Sequence, residues 1–230
     1  MVTVLDDARQ QQLSYEAFLR RALEVEVVGR QQRALARRLR AARLPAHTRL
    51  ETFDFSFQLS VSERLVRELA GLAFVQTATN VVLLGPPGVG KTHLASALAR
   101  RAVEAGHTAL CVTLRQFADS IETAGVLAWR QQARRYLQPR VLVIDEVGYT
   151  RLTPVQAQCL FDVVTARYEH SAIVLTSNVS FAEWGTLLGD EVLATALLDR
   201  LLHHTEVLNI NGRSYRMKDR IGADVRQPTT

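Results

Sequence analysis

The sequence predicts an α/β fold: a five-stranded parallel sheet flanked by helices, with a small N-terminal helical domain ahead of it. Three observations lead there. Five short apolar runs alternate with helix-length runs: "VVLL" (81–84), "ALCVTL" (109–114), "VLVID" (141–145), "AIVLTS" (172–177) and "EVLNI" (206–210). Apolar strands separated by helices belong to a parallel sheet covered on both faces. The first run leads through a glycine-rich loop into a helix-like run, and residues 13–43 contain neither a strand-like run nor a proline.

Along the chain, Leu13, Phe18, Leu19, Ala22, Leu23 and Val27 recur at three- and four-residue steps, the spacing of one helix face. Gly29 predicts a break, giving two helices of which the second carries the arginines. "LPAHTRLETFDFSFQLS" (44–60) reads as a linker with aromatic residues at the alternate positions Phe53, Phe55 and Phe57. The expected organisation is a basic helical domain over 1–45, an aromatic linker over 46–60 and the sheet domain over 61–230. In the last, Thr153-Pro154 supplies an N-cap followed by proline in the first turn. "SFAE" (180–183) is a capping-box pattern, and the final "VRQPTT" reads as a frayed tail.

Composition narrows the class. A chain of 230 residues, 47% of them hydrophobic, buries a sizeable core. No apolar run approaches the roughly 20 residues that cross a bilayer, and "MVTVLDDARQQQ" has no basic-then-apolar leader; a cytoplasmic location is expected. Cys111 and Cys159 have no partner at metal-ligand spacing and read as small core residues. The net charge of +5 favours a polyanionic partner. Arg30, Arg33, Arg37, Arg38, Arg40, Arg43 and Arg49 follow one another with no acid between them, whereas a solvated helix face mixes both signs.

"GPPGVGKT", comprising Gly85, Pro86, Pro87, Gly88, Val89, Gly90, Lys91 and Thr92, fits G-x-x-x-x-G-K-[ST] between a strand and a helix. Glycines let successive backbone N–H groups converge on an anion. The following helix adds the positive end of its dipole. Lys91 supplies a point charge to the β- and γ-phosphates of ATP, and the Thr92 hydroxyl a ligand to Mg²⁺. His93 joins the same nucleotide-binding set.

"VLVIDEVG" ends a buried strand in two acids, which require partners: Asp145 fits an outer-sphere or direct Mg²⁺ ligand and Glu146 a base that polarises water. Asn178, just past the fourth strand, lies where open parallel sheets bind ligands, and is equally a common turn residue. Arg200 in "LLDRLL" reads from its surroundings as a solvated arginine on an amphipathic helix. An arginine finger reaching a neighbouring subunit is the alternative.

With these residues in view, the chain resembles the AAA+ superfamily and, within its DnaA/DnaC/IstB clade, the IstB-like transposition helper ATPases. "LLGPPGVGKTHLASALA", "VLVIDEVGY", "IVLTSNVSFAEW", "LLDRLLHH", "NGRSYRMK" and the linker "TFDFSFQ" all look like their counterparts, so the resemblance runs from about Leu13 to Arg220. It implies that Glu146 is the Walker B catalytic acid, Asn178 sensor 1 and Arg200 the trans-acting finger, with Arg216, then Arg213, in the place of a second sensor. About fourteen residues follow Arg216, little room for the helical lid of most AAA+ proteins. The resemblance also implies assembly as a homo-oligomer on duplex DNA and transfer of the target site to a DDE-type transposase.

Two stretches offer DNA contacts: the arginine helix, with Arg33, Arg37 and Arg38, and residues 114–137, where the clade carries an extra helical element. There Arg115, Arg130, Arg134 and Arg135 are basic, and the four-residue step from Arg130 to Arg134 puts both on one helix face. Such contacts go to phosphates and weaken with salt, log K falling by about 0.9 per phosphate neutralised. A protein-docking role for the N-terminal arginines is the competing reading. At the level of function, the motifs also accommodate a DnaC-type helicase loader. A small-molecule kinase, by contrast, lacks an evident lid and has no need of Glu146 after Asp145.

Overall fold

The computed structural model describes residues 10–46 and 48–217; the tail "VRQPTT" and the first nine residues lie outside them. Five strands form one parallel sheet: β1 (Asn80–Leu84), β2 (Ala109–Thr113), β3 (Val141–Val147), β4 (Ala172–Ser177) and β5 (Thr205–Asn209). Their order is β2-β3-β4-β1-β5. The predicted strands are therefore present, with ends that differ by at most two residues. Because β1 sits between β4 and β5, the ends of β3, β4 and β1 are neighbours, and whatever follows these three strands converges on one edge.

Side chains alternate across the sheet, as strand geometry dictates. Val82, Leu142, Ile144, Ile173 and Leu175 face one core. Val81, Leu83, Val141, Val143 and Val174 face the other. The first face is covered by α5 (Leu114–Leu137), α6 (Pro154–Arg167), α7 (Trp184–Leu188) and α8 (Glu191–Leu202). The second is covered by α2 (Glu63–Ala70), α3 (Ala73–Gln76), α4 (Lys91–Glu104) and the end of α1 (Tyr15–Ala42). Both caps expected before α6 and α7 are formed. Thr153 and Gln156 make a reciprocal capping box with Pro154 in the first turn, and Ser180 and Glu183 do the same for the 3₁₀ turn ahead of α7.

The expected break at Gly29 does not occur: α1 runs unbroken through it. One glycine costs a helix only about 1 kcal/mol relative to alanine. Ion pairs bridge the position, from Glu26 to Arg30 at 3.6 Å and to Arg33 at 3.1 Å. These pairs also qualify the unbroken basic run, since an acid just upstream partners two of its arginines. The C-terminal end of α1 docks on the sheet domain through buried Ala42 and partly buried Leu35 and Leu39. Its N-terminal half leaves Leu19, Leu23 and Val27 exposed.

Cys111 and Cys159 are free thiols, half-buried and buried, and burial pushes the Cys111 thiol up to about 12. Both are packing residues, as read from the sequence. No described helix is long and apolar enough to cross a membrane.

Between β2 and β3 the chain makes a helical hairpin rather than one rod. Gly125 has φ 69 and ψ 158, and α5 doubles back there. Phe117 and Tyr136 have ring centroids 5.0 Å apart, whereas a straight helix would separate them by about 28 Å. Trp129 packs edge-on against Phe117 at 5.4 Å, and Ser120 Oγ meets the Tyr136 hydroxyl at 2.8 Å. The returning limb is anchored by Arg167, 1% exposed, whose guanidinium donates to the carbonyls of Tyr136 (2.7 Å), Pro139 (2.9 Å) and Ala172 (2.7 Å). Burial, reinforced by Arg140, lowers its pKa to about 9.

A Cβ at Gly125 would meet open space, so only its backbone angles resist substitution. Gly125→Ala is expected to lower stability by about 1–3 kcal/mol in urea unfolding. Unchanged stability would show that the reversal does not depend on glycine geometry.

Candidate nucleotide site

Gly88 and Gly90, at φ 83 and 100, curl the loop after β1 so that α4 opens with Lys91. The buried Lys91 ammonium donates to the Gly85 and Pro86 carbonyls at 2.6 and 2.7 Å. A cation held by weak neutral acceptors is available to stronger anionic ones. Burial lowers its pKa, Asp145 opposes that shift, and Arg216 adds to it. Both charged groups therefore act at the same point.

The acids after β3 are set by an irregularity in the ladder. Ile144 pairs with Leu175, yet Val147 pairs with Ser177, so β3 carries one extra residue there. Bulges of this kind re-aim side chains beside functional sites. Glu146 adopts φ 61 and turns out of the sheet into solvent, while Asp145 stays buried at 5% exposure. Thr176 closes the gap. Its hydroxyl accepts from the Glu146 N–H at 3.0 Å and donates to Asp145 Oδ1. The same Asp145 oxygen accepts from the Thr92 hydroxyl at 3.0 Å. That spacing is close to the roughly 2.9 Å between adjacent ligands of an octahedron with Mg–O bonds of about 2.0–2.1 Å. A hydroxyl and a carboxylate so placed fit Mg²⁺.

Asn178 follows β4, its N–H donating to the Val147 carbonyl at 3.1 Å. Its Oδ1 is buried without a hydrogen-bond partner among the described residues. A buried amide oxygen in that state is costly, which favours the functional alternative left open in the sequence over a plain turn.

These groups border a cleft of about 320 Å³. Pro87, Gly88, Val89, Gly90, Lys91, Thr92 and His93 line it, as do Glu146, Thr176 and Asn178. Its remaining walls were only faintly legible in the sequence. The aromatic linker contributes Phe53 and Phe57, the segment after β3 Tyr149, and the chain beyond β5 Tyr215 and Arg216. Phe57 and Tyr215 meet edge-on at 5.3 Å, joining linker to C-terminal segment. His93 holds the linker through the Arg49 carbonyl at 2.7 Å and the ring edge of Phe53 at 5.6 Å. Arg100, not singled out in the sequence, donates to the Thr48 carbonyl at 3.0 Å, and Gln58 to the Val89 carbonyl at 3.0 Å. The alternating phenylalanines were the one available signal that this linker packs.

The structure does not bring every expected residue here. Gly85 and Pro86 take part through the carbonyls that receive Lys91. Arg200 does not line the cleft; its guanidinium lies 4.7 Å from the Phe161 ring centroid and donates to the Ala196 carbonyl. Arg213 does not line it either, whereas Arg216 does. Among the basic residues set aside for DNA, Arg33, Arg37, Arg115, Arg130 and Arg134 are exposed. Arg115 pairs with Asp119 at 3.1 Å. Arg38 and Arg135 are half-buried, the latter over the Tyr136 ring at 5.0 Å.

Comparison with known proteins bears on this geometry. The chain is 48% identical over 224 residues to an ATP-binding protein of insertion sequence IS21 from Pseudomonas aeruginosa, covering 97% of this chain and 84% of the relative. It is 44% identical over 211 residues to the corresponding protein of IS5376 from Geobacillus stearothermophilus, covering 90% and 83%. Among solved structures, the DnaC helicase loader superposes with a TM-score of 0.58 at 22% identity, over 72% of this chain and 97% of that one. That likeness is one of fold, the P-loop AAA+ fold. The family profile described as IstB-like ATP binding protein matches residues 2–223, and with the phosphate loop, the bulged acidic strand end and the half-buried asparagine on one sheet edge, the chain belongs to the IstB-like ATP-binding family of insertion sequences.

Proposed function

We propose that this chain is an ATP-hydrolysing, DNA-binding AAA+ protein that assembles as a homo-oligomer on duplex DNA and delivers target DNA to a DDE-type transposase. The observation that carries the reading is the Thr92–Asp145–Thr176 hydrogen-bond chain, with Glu146 turned out of the sheet beside Lys91. A structural anion site would need the loop and the lysine. It would have no use for a second carboxylate held free in a strained backbone conformation.

Lys91 exchanges its loop carbonyls for β- and γ-phosphate oxygens. Thr92 and Asp145 would hold Mg²⁺, which would supply charge neutralisation to the phosphates. Glu146 accepts a proton from the attacking water, and the Asn178 amide orients that water against the γ-phosphate. Arg216 adds positive charge from the C-terminal segment. Arg200, away from its own chain's cleft, acts on the nucleotide of a neighbouring subunit, a contribution on the order of 10³–10⁵ in rate. The exposed arginines of α1 and α5 neutralise DNA phosphates, and membership in an insertion-sequence family supports the transposase as partner.

Lys91→Ala is expected to weaken ATP binding by roughly tenfold or more, read by titration with a fluorescent analogue. Unaltered affinity would remove the phosphate-loop reading. Glu146→Gln should keep ATP affinity, lose about 10²–10⁴-fold in turnover, and hold ATP-dependent complexes on duplex DNA that the parent chain releases. A variant that hydrolyses normally, or that never accumulates on DNA, would overturn the mechanism. Stable capture of the replicative helicase by the full chain would instead favour the loader reading.

A further inference from the structure

The α6–β4 turn and the end of α8 bring together three ligand-type side chains far in sequence and outside the nucleotide cleft. Glu169, His203 and His204 each offer a ligand atom, and these atoms all lie within 4.8 Å of one another. His204 Nε2 and Glu169 Oε1 are 3.7 Å apart, near the roughly 3.3 Å edge of a tetrahedron with Zn–N and Zn–O bonds of about 2.0–2.1 Å. The imidazole centroids of His203 and His204 are 4.2 Å apart. All three residues are exposed, so small rotations suffice to close the set.

Two further observations point to a cation. Tyr168 meets His203 Nδ1 with its hydroxyl at 2.8 Å. With its proton on Nδ1, His203 donates to the tyrosine oxygen. The Nε2 lone pair of His203 is then free, in the manner of outer partners that fix the tautomer of metal-binding histidines. In addition, α6 ends at Arg167 and α8 at Leu202, so the negative dipole ends of two helices lie next to the cluster and favour positive charge.

We propose that Glu169, His203 and His204 form a binding site for a divalent transition metal of the zinc class, with Tyr168 as the residue that orients His203. The donors are two imidazoles and a carboxylate, a set suited to Zn²⁺ and disfavouring Mg²⁺ or Ca²⁺. Three protein ligands leave a fourth position open to water or to a donor from another molecule. His203 and His204 follow Arg200 by three and four residues, so the metal occupies the surface that also carries that arginine. The proposal does not depend on the nucleotide reading.

The test is Zn²⁺ titration of the full chain without nucleotide, in competition with a chromophoric chelator, together with the visible spectrum of the Co²⁺ form. One equivalent should bind, with tetrahedral Co²⁺ bands. His203→Ala/His204→Ala and Glu169→Gln should each weaken binding at least about tenfold and abolish the bands, and Tyr168→Phe should weaken it by about 10–100-fold. His107→Ala should leave it unchanged. Far-UV circular dichroism verifies that each variant is folded. Lys91→Ala should bind the metal as the parent does, which separates this site from the phosphate loop. Equal zinc binding by the double-histidine variant, or none by the parent, would overturn the proposal.

Discussion

One buried hydroxyl holds the site together. Thr176, 1% exposed, lies on β4 opposite the point where β3 gains a residue, and the ladder there has no partner for the Glu146 N–H. The threonine oxygen accepts that N–H and donates to Asp145, which in turn accepts from Thr92. Three segments far apart in sequence become one hydrogen-bonded unit: the helix after β1, the end of β3 and the end of β4. A buried carboxylate is costly unless its lone pairs are met, and here two hydroxyls on different segments meet one oxygen. The same bulge that demands this repair sends Glu146 outward.

The sheet order makes such a unit possible. With β4 between β3 and β1, the acids, the asparagine and the phosphate loop sit side by side at the carboxyl edge, where parallel sheets bind ligands. The rest of the cleft is assembled from outside the sheet. The linker is fastened to α4 by Arg100 and His93 and to the phosphate loop by Gln58, and the segment after β5 is tied to the loop by the Tyr215 N–H on the Gly88 carbonyl at 2.9 Å. On the proposed reading, nucleotide contacts both the linker that leads back to the arginine helix and the segment carrying Arg216.

Much of this was legible in the sequence, for physical reasons. Apolar runs bounded by turn residues gave the strands, and the G-x-x-x-x-G-K-T spacing gave the loop, because both signals are local. Gly29 misled because a helix tolerates one glycine when ion pairs span it. The hairpin in α5 was hidden because Gly125 sits in an otherwise helical pattern, and its reversal shows only in the packing of Phe117, Trp129 and Tyr136. The bulge left no local mark, since it depends on the register of β3 against β4. Nothing in the sequence singled out Arg167. Its burial depends on five backbone carbonyls contributed by the α5–β3 connection and the start of β4.

The account rests on the Thr176 hydroxyl keeping Asp145 and Glu146 in their separate conformations, and steady-state ATP turnover of Thr176→Val beside Thr176→Ser tests it most directly. Valine keeps the shape but leaves the Glu146 N–H and one Asp145 acceptor unmet, a loss of about 1–3 kcal/mol. The account predicts that kcat falls by roughly tenfold or more in Thr176→Val, that ATP affinity changes little, and that Thr176→Ser stays near the parent. A valine variant that hydrolyses ATP at the parent's rate would contradict it.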